Sequence, residues 1–232
     1  SLFGINQPPT GSKDPFALRR SAIGILKIIV EKKLELDLVE AIRDAISAHN
    51  VAKLSPNTEE QAFQFLLDRF RSWYQDEGVS NNVFESVYIL KPQSPLDFHL
   101  RIEAVNAFSR LPESTSLALA NKRVSNLLKR QEHDEVKTPC NKNLLSHKSE
   151  INLFTEVDNK KLDVAPLIKE SNYTEALLCL SSLKPMVDKF FDNVLVIDED
   201  PNLRENRLSL LSELRKLFLM TADISFLDPG SE

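Results

Sequence analysis

Three times in this chain a side chain able to cap a helix stands directly before a proline: Asp14–Pro15, Ser94–Pro95 and Asp200–Pro201. Proline at the first helical position loses nothing there, because its missing N–H would have no partner anyway, and the preceding Asp or Ser accepts from amides further on. Each pair leads into apolar residues spaced three and four apart. These are Phe16, Ile23, Leu26, Ile29 and Val30, then Phe98, Ile102, Val105 and Phe108, then Leu203, Leu210, Leu211, Leu214, Leu217 and Phe218. Such spacing puts one face of a helix in a core. It predicts helices over 15–33, 95–110 and 202–222. The last of these is apolar over a wide arc and belongs at the centre of a bundle.

The same pattern predicts helices over 36–49, from Thr58 to Gly78, and over 82–90, 158–170, 173–183 and 185–193. Thr58 reads as an N-cap, with Gln61 completing a capping box, and Gly78 as the stop. Phe63, Leu66, Leu67, Phe70 and Trp73 form an aromatic-rich stripe that reads as core. Five glycines in 232 residues and little β-branched alternation leave an all-α fold of two packed helical bundles. Lys91–Pro95 marks the break, giving bundles over 14–93 and 94–232. Gln131–Leu144 is polar, carries charges of both signs and contains Pro139. It reads as a flexible loop, which we extend over 132–156 because helical spacing resumes only at 158.

Between Leu117 and Arg130 the text is LALANKRVSNLLKR. Leu117, Ala120, Val124, Leu127 and Leu128 make a buried stripe, and Lys122, Arg123, Asn126, Lys129 and Arg130 occupy the remaining surface. Arg101 and Arg110 join this face if they point outward from the preceding helix, which the short connection sets antiparallel to it. The whole chain carries a net charge of −5. That balance opposes non-specific nucleic-acid binding, yet screening beyond about 10 Å lets a local basic face act alone. Such a face suits a polyanion, and amides can also read base edges. The competing reading is a solvated helix back. Arg204, Arg207 and Arg215 gather on one quadrant of the last helix, where they can pair with Asp198–Asp200 and Glu205 or reach a phosphate; pairing is the simpler chemistry.

Several classes are excluded. TGSK at 10–13 lacks the Lys–Ser/Thr pair of a phosphate loop. The longest apolar run, Ala22–Val30, is interrupted by Lys27 and is too short to span a bilayer. Cys140 and Cys179 suggest neither a zinc site nor a disulfide framework, which points to a reducing, cytoplasmic setting. His133–Asp134 could be half of a metal dyad, but no second His or Asp cluster accompanies it, and it reads as a solvated pair. No catalytic or metal-ligating constellation emerges.

Three blocks, NQPPTGSKDPFALRR, ALANKRVSNLLK and KPMVDKFFDNVLVIDEDPNLRENRLSLLSELRKLFLMTADIS, stand in that order. Their succession resembles the C-terminal part of the β subunit of the bacterial two-subunit glycyl-tRNA synthetase, a class II aminoacyl-tRNA synthetase. Over Ser47–Lys91 and Gln131–Lys169 the resemblance rests on order and length. It implies that 94–232 is a helical anticodon-binding domain, that 14–93 is a spacer or body bundle, and that 1–13 is the tail of a preceding domain. It implies that catalysis, with ATP and Mg, resides in the α subunit of an α2β2 assembly. This chain would then hold no catalytic residue, cofactor or metal. Its partners would be tRNA(Gly) and the α subunit, with neither membrane nor DNA. Asn121, Lys122, Arg123 and Asn126 match the family's ANKR-x-x-N motif and, with Lys129, Arg130 and Arg101, are the implied tRNA contacts. Arg204, Asn206 and Arg207 match a second motif, LRxNRL, and join them. The alternative is a helical assembly scaffold with little RNA binding of its own.

Overall fold

The computed structural model describes residues 2–9, 14, 16–49, 54–131 and 138–227. Among them the regular structure is helical and no strand occurs. The α-helices are α1 (Leu18–Glu31), α2 (Leu38–Ser47), α3 (Thr58–Asp76), α4 (Asn81–Tyr88), α5 (Pro95–Phe108), α6 (Pro112–Arg130), α7 (Lys148–Lys169), α8 (Tyr173–Ser181), α9 (Lys184–Asn193) and α10 (Pro201–Leu219). Single 3-10 turns stand at Phe3–Ile5, Lys142–Leu144 and Ile224–Leu227. Among the described residues no helix is long and apolar enough to cross a membrane. The TGSK stretch, Pro15 and His133–Asp134 lie outside the described residues.

Side-chain chemistry accounts for the helix ends. Asp200 Oδ1 accepts from the Asn202 amide at 2.8 Å, with Pro201 in the first turn. Asp14 caps from a distance. Its two oxygens accept from the Leu18 and Arg19 amides at 2.8 and 3.0 Å, while Ala17, in the left-handed region at φ 52°, occupies the cap position. The Arg19 amide holds the Asp14 carboxyl below the usual carboxylate range. Gly78, at φ 78°, closes α3 with a double bond pattern: its own N–H reaches Gln75 O and that of Val79 reaches Tyr74 O. The capping box expected at Thr58 does not form. Asn57 is the cap residue, and the Thr58 hydroxyl donates backward to Ser55 O at 2.6 Å, inside the helix rather than ahead of it. At α2, Asp37 Oδ1 accepts from Val39 and Glu40 at 2.7 and 3.0 Å. Asp37→Ala is expected to cost about 1 kcal/mol, read as a lower urea midpoint with unchanged slope.

The chain divides into two compact units. The first comprises Ser1–Phe84 and Lys91–His99, the second Glu85–Leu90 and Leu100–Glu232. Position 93, the end of the first bundle in the sequence reading, falls inside the Lys91–His99 segment. In the first unit α1 and α2 pack on α3. Phe70 is fully buried and stacks on Phe98, ring centres 4.6 Å apart and 4° from parallel, with Trp73 and Tyr74 on the same stack. The turn at Phe3–Ile5 packs on this unit. Phe3 meets Phe65 at 5.2 Å, and Gly4 O accepts from the Ser55 amide at 2.8 Å. Any side chain at Gly4 would collide with Leu54.

In the second unit α10 is central. Every residue from Asn206 to Leu211 is buried, as are Leu214, Leu217 and Phe218. It packs on α6, α7 and α8, and α6 packs also on α8, α9 and the Ile224–Leu227 turn. Leu111, extended at φ −78° and ψ 145°, redirects the chain before Pro112 starts the helix.

Part of the stretch 132–156, expected as a flexible loop, is helical. α7 begins at Lys148, so 148–156 is helix. Its cap is His147, whose Nδ1 accepts from the Ser149 amide at 3.1 Å, while Glu150 accepts from the Ser146 and His147 amides at 2.9 and 2.8 Å. A histidine in place of the usual Ser or Thr hides this start from pattern reading. The segment ahead of it is tied to α10. The Cys140 amide donates to Glu213 Oε1 at 2.8 Å, and Asn206 both accepts from and donates to the Asn141 backbone, at 2.6 and 3.0 Å.

Candidate nucleic-acid interface

Helix α6 has two stripes. Leu117, Ala118, Asn121, Val124, Ser125 and Leu128 are buried. On the other side Leu119, Lys122, Arg123, Asn126, Leu127 and Arg130 line an open depression of about 410 Å³. Lys122 with Arg123 and Asn126 with Leu127 are adjacent pairs, and three- and four-residue steps link Leu119, the two pairs and Arg130 in turn, so the same helical period that builds the core also gathers the cations. Lys122, Arg123, Asn126 and Arg130, all predicted, meet here. Lys129 is exposed in the last turn of α6 but does not line the depression. Its charge, with that of Arg130, also complements the carbonyl end of the helix.

Arg123 is exposed, and its guanidinium lies over the Phe191 ring of α9, 4.1 Å from the ring centre. Phe191 in turn meets the fully buried Phe190 edge-on, at 5.5 Å and 77°. Neither Phe191 nor Leu119, which is 50% exposed, was singled out from sequence. Leu119 could have been: it stands off the buried stripe and three and four residues before Lys122 and Arg123. Phe191 could not, because no spacing on α9 announces which residue of α6 it meets.

The other predicted residues are held elsewhere. Asn121 is buried, and its Nδ2 donates to Leu117 O at 3.1 Å. Position 121 falls four after Leu117 and three before Val124, on the apolar stripe. Arg101 donates to Met220 O and Thr221 O at 2.7 and 2.8 Å and to the Tyr173 hydroxyl at 3.0 Å, and it covers the Tyr173 ring. It satisfies carbonyls at the end of α10. Asn206 holds Asn141 as described. Arg207 is buried and pairs with Glu150, with Asp198 at 2.6 Å and with Leu195 O at 2.9 Å. Arg215 pairs with Asp223 at 2.7 Å, not with Asp198–Asp200. Arg204 is half-buried in the first turn of α10. Because α10 is surrounded by protein, its polar residues serve the bundle, and the structure does not bring Arg101, Asn121, Asn206 or Arg207 to the α6 depression.

Comparison with known proteins assigns both halves. Residues 1–89 match the glycyl-tRNA synthetase beta subunit family, and residues 117–224 match the DALR anticodon binding domain, a stretch that begins in α6 and takes in the depression. The glycine–tRNA ligase beta subunit of Hahella chejuensis is 46% identical over 226 residues, 97% of this chain and 32% of the relative. That of Pseudomonas aeruginosa is 47% identical over the same length, 97% and 33%. That of Photorhabdus laumondii is 46% identical, again over 97% and 33%. The chain thus spans about a third of the length of the curated relatives it matches. With both stretches accounted for and near-half identity along almost its whole length, the chain matches a part of the glycyl-tRNA synthetase beta subunit, with the DALR anticodon binding domain matched over residues 117–224.

Proposed function

We propose that this chain recognises the anticodon arm of tRNA(Gly) on behalf of a glycine–tRNA ligase. The observation that carries the reading is the α6 depression, where three cations and an amide converge within the DALR stretch of an acidic chain. Lys122, Arg123 and Arg130 would hold loop and stem phosphates, and the Asn126 amide would face the edge of a splayed base. Joining glycine to tRNA with ATP and Mg belongs on this view to the partner α subunit in a cytoplasmic α2β2 enzyme. This chain supplies recognition and no catalytic or cofactor-binding group. Residues 14–93 would act as a spacer bundle and 94–232 as the recognition domain.

The test is a titration with the tRNA(Gly) anticodon stem-loop, beside one of altered anticodon, at about 50 and about 200 mM salt. Tighter binding of the glycine loop, weakening with salt, is expected. Equal affinity for both loops, or none, would overturn the reading. One observation favours an assembly role for the first unit: Ile25 and Ile28 on α1 are 50% and 56% exposed, with Phe16 at 65% close by in sequence. Ile25→Glu with Ile28→Glu would then abolish co-purification with the α subunit while leaving stem-loop binding intact.

A further inference from the structure

We propose that Phe191 is a positioning residue of the RNA-binding face: its ring presets the Arg123 guanidinium for a phosphate. The inference rests on the RNA reading above. Among the described residues Arg123 makes no ion pair, and the Phe191 ring is the partner its guanidinium is seen on. That distinction matters chemically. A carboxylate partner would fix the side chain but spend its charge and its donors. An aromatic face fixes it from below, by attraction to the π cloud, and leaves the in-plane N–H groups free for a phosphate. An arginine without such a platform samples many rotamers and must give them up on binding.

The platform is itself anchored. Phe191 rests edge-on against Phe190, which is fully buried, and α9 packs on α6. The order of support runs from core to Phe190, to Phe191, to Arg123, and Arg123 lines the depression beside Lys122 and Asn126. The plain alternative is that Phe191 only fills space at the helix contact, in which case its removal acts the same way whatever stands at position 123.

The experiment is a double-mutant cycle on this chain, read as affinity for the tRNA(Gly) anticodon stem-loop. It uses Phe191→Leu, Phe191→Tyr, Arg123→Ala and the pair Phe191→Leu with Arg123→Ala, each checked for its unfolding midpoint. Phe191→Leu is expected to weaken binding about threefold, Phe191→Tyr to bind as the parent does, and Phe191→Leu to add nothing once Arg123 is alanine. Equal losses from Phe191→Leu in both backgrounds would overturn the proposal. A second readout needs no RNA: in the free chain the order parameter of the Arg123 Nε–H falls in Phe191→Leu. An unchanged order parameter overturns the positioning role alone; an Arg123→Ala variant that binds like the parent overturns the RNA reading at this face, and the proposal with it.

Discussion

Replacing Arg207 by methionine is expected to lower the stability of the second unit by about 3–5 kcal/mol, seen as a large drop in the urea midpoint. Arg207 is the point where three separated segments meet. It sits in α10, pairs with Glu150 in the first turn of α7, and reaches Asp198 and Leu195 O in the turn after α9. The Glu150 side chain is 1% exposed and that of Arg207 is 9% exposed. Removing the guanidinium strands a carboxylate where water cannot follow, and that penalty, rather than the lost attraction, sets the size of the effect. The pH dependence has a definite sign. Burial pushes the Glu150 carboxyl up, but the His147 amide and Arg207 outweigh it and hold it below the ordinary range. Asp198 is lowered by the Asp200 amide and then by Arg207. Groups whose pKa is depressed on folding contribute fully above their unfolded values, near pH 4, and lose that contribution as pH falls through the folded values. The deficit of Arg207→Met should therefore be full at pH 7 and shrink in acid below about pH 4. A variant as stable as the parent at pH 7 would show that the three segments are held together by packing alone.

This network also shows where reading the sequence stops. Helix spacing and cap–proline pairs are local signals, so Ser94, Gly78 and Asp200 could be read from their neighbours, and the all-α fold followed. The pairing of Arg207 with Asp198 is near enough in sequence to be foreseen. Its pairing with Glu150 spans 57 positions and depends on how α7 and α10 lie together, which no local pattern encodes. The same limit placed 148–156 in a loop: the cap is a histidine, and the tie to α10 runs through backbone amides at Cys140 and Asn141. On α6 the period carried more. It separated Lys122, Arg123, Asn126 and Arg130 from the buried stripe. It would also have assigned Asn121 to that stripe, had the ANKR motif not been taken as one unit. Residues in a motif share a stretch of sequence, not a face.

Changing Lys122 and Arg123 together to alanine is expected to weaken binding of the tRNA(Gly) anticodon stem-loop by roughly a hundredfold, counting about tenfold for each charge-assisted contact. The salt dependence separates this from a general loss of structure. Each phosphate contact on single-stranded RNA contributes about 0.7 to the slope of log affinity against log salt, so two lost contacts flatten it by about 1.4. The urea midpoint of each single variant is read alongside, since Arg123 covers the Phe191 ring and Lys122 is half-buried. Asn126→Ala makes the complementary control. An amide adds nothing to the counterion slope, so its removal should leave the slope unchanged and reduce discrimination between the glycine loop and an altered anticodon. If the double variant keeps both its affinity and its slope, the phosphates are held elsewhere and the α6 stripe is a solvated helix back. If the slope flattens while discrimination persists, α6 supplies the grip, and the bases are read by residues outside the depression.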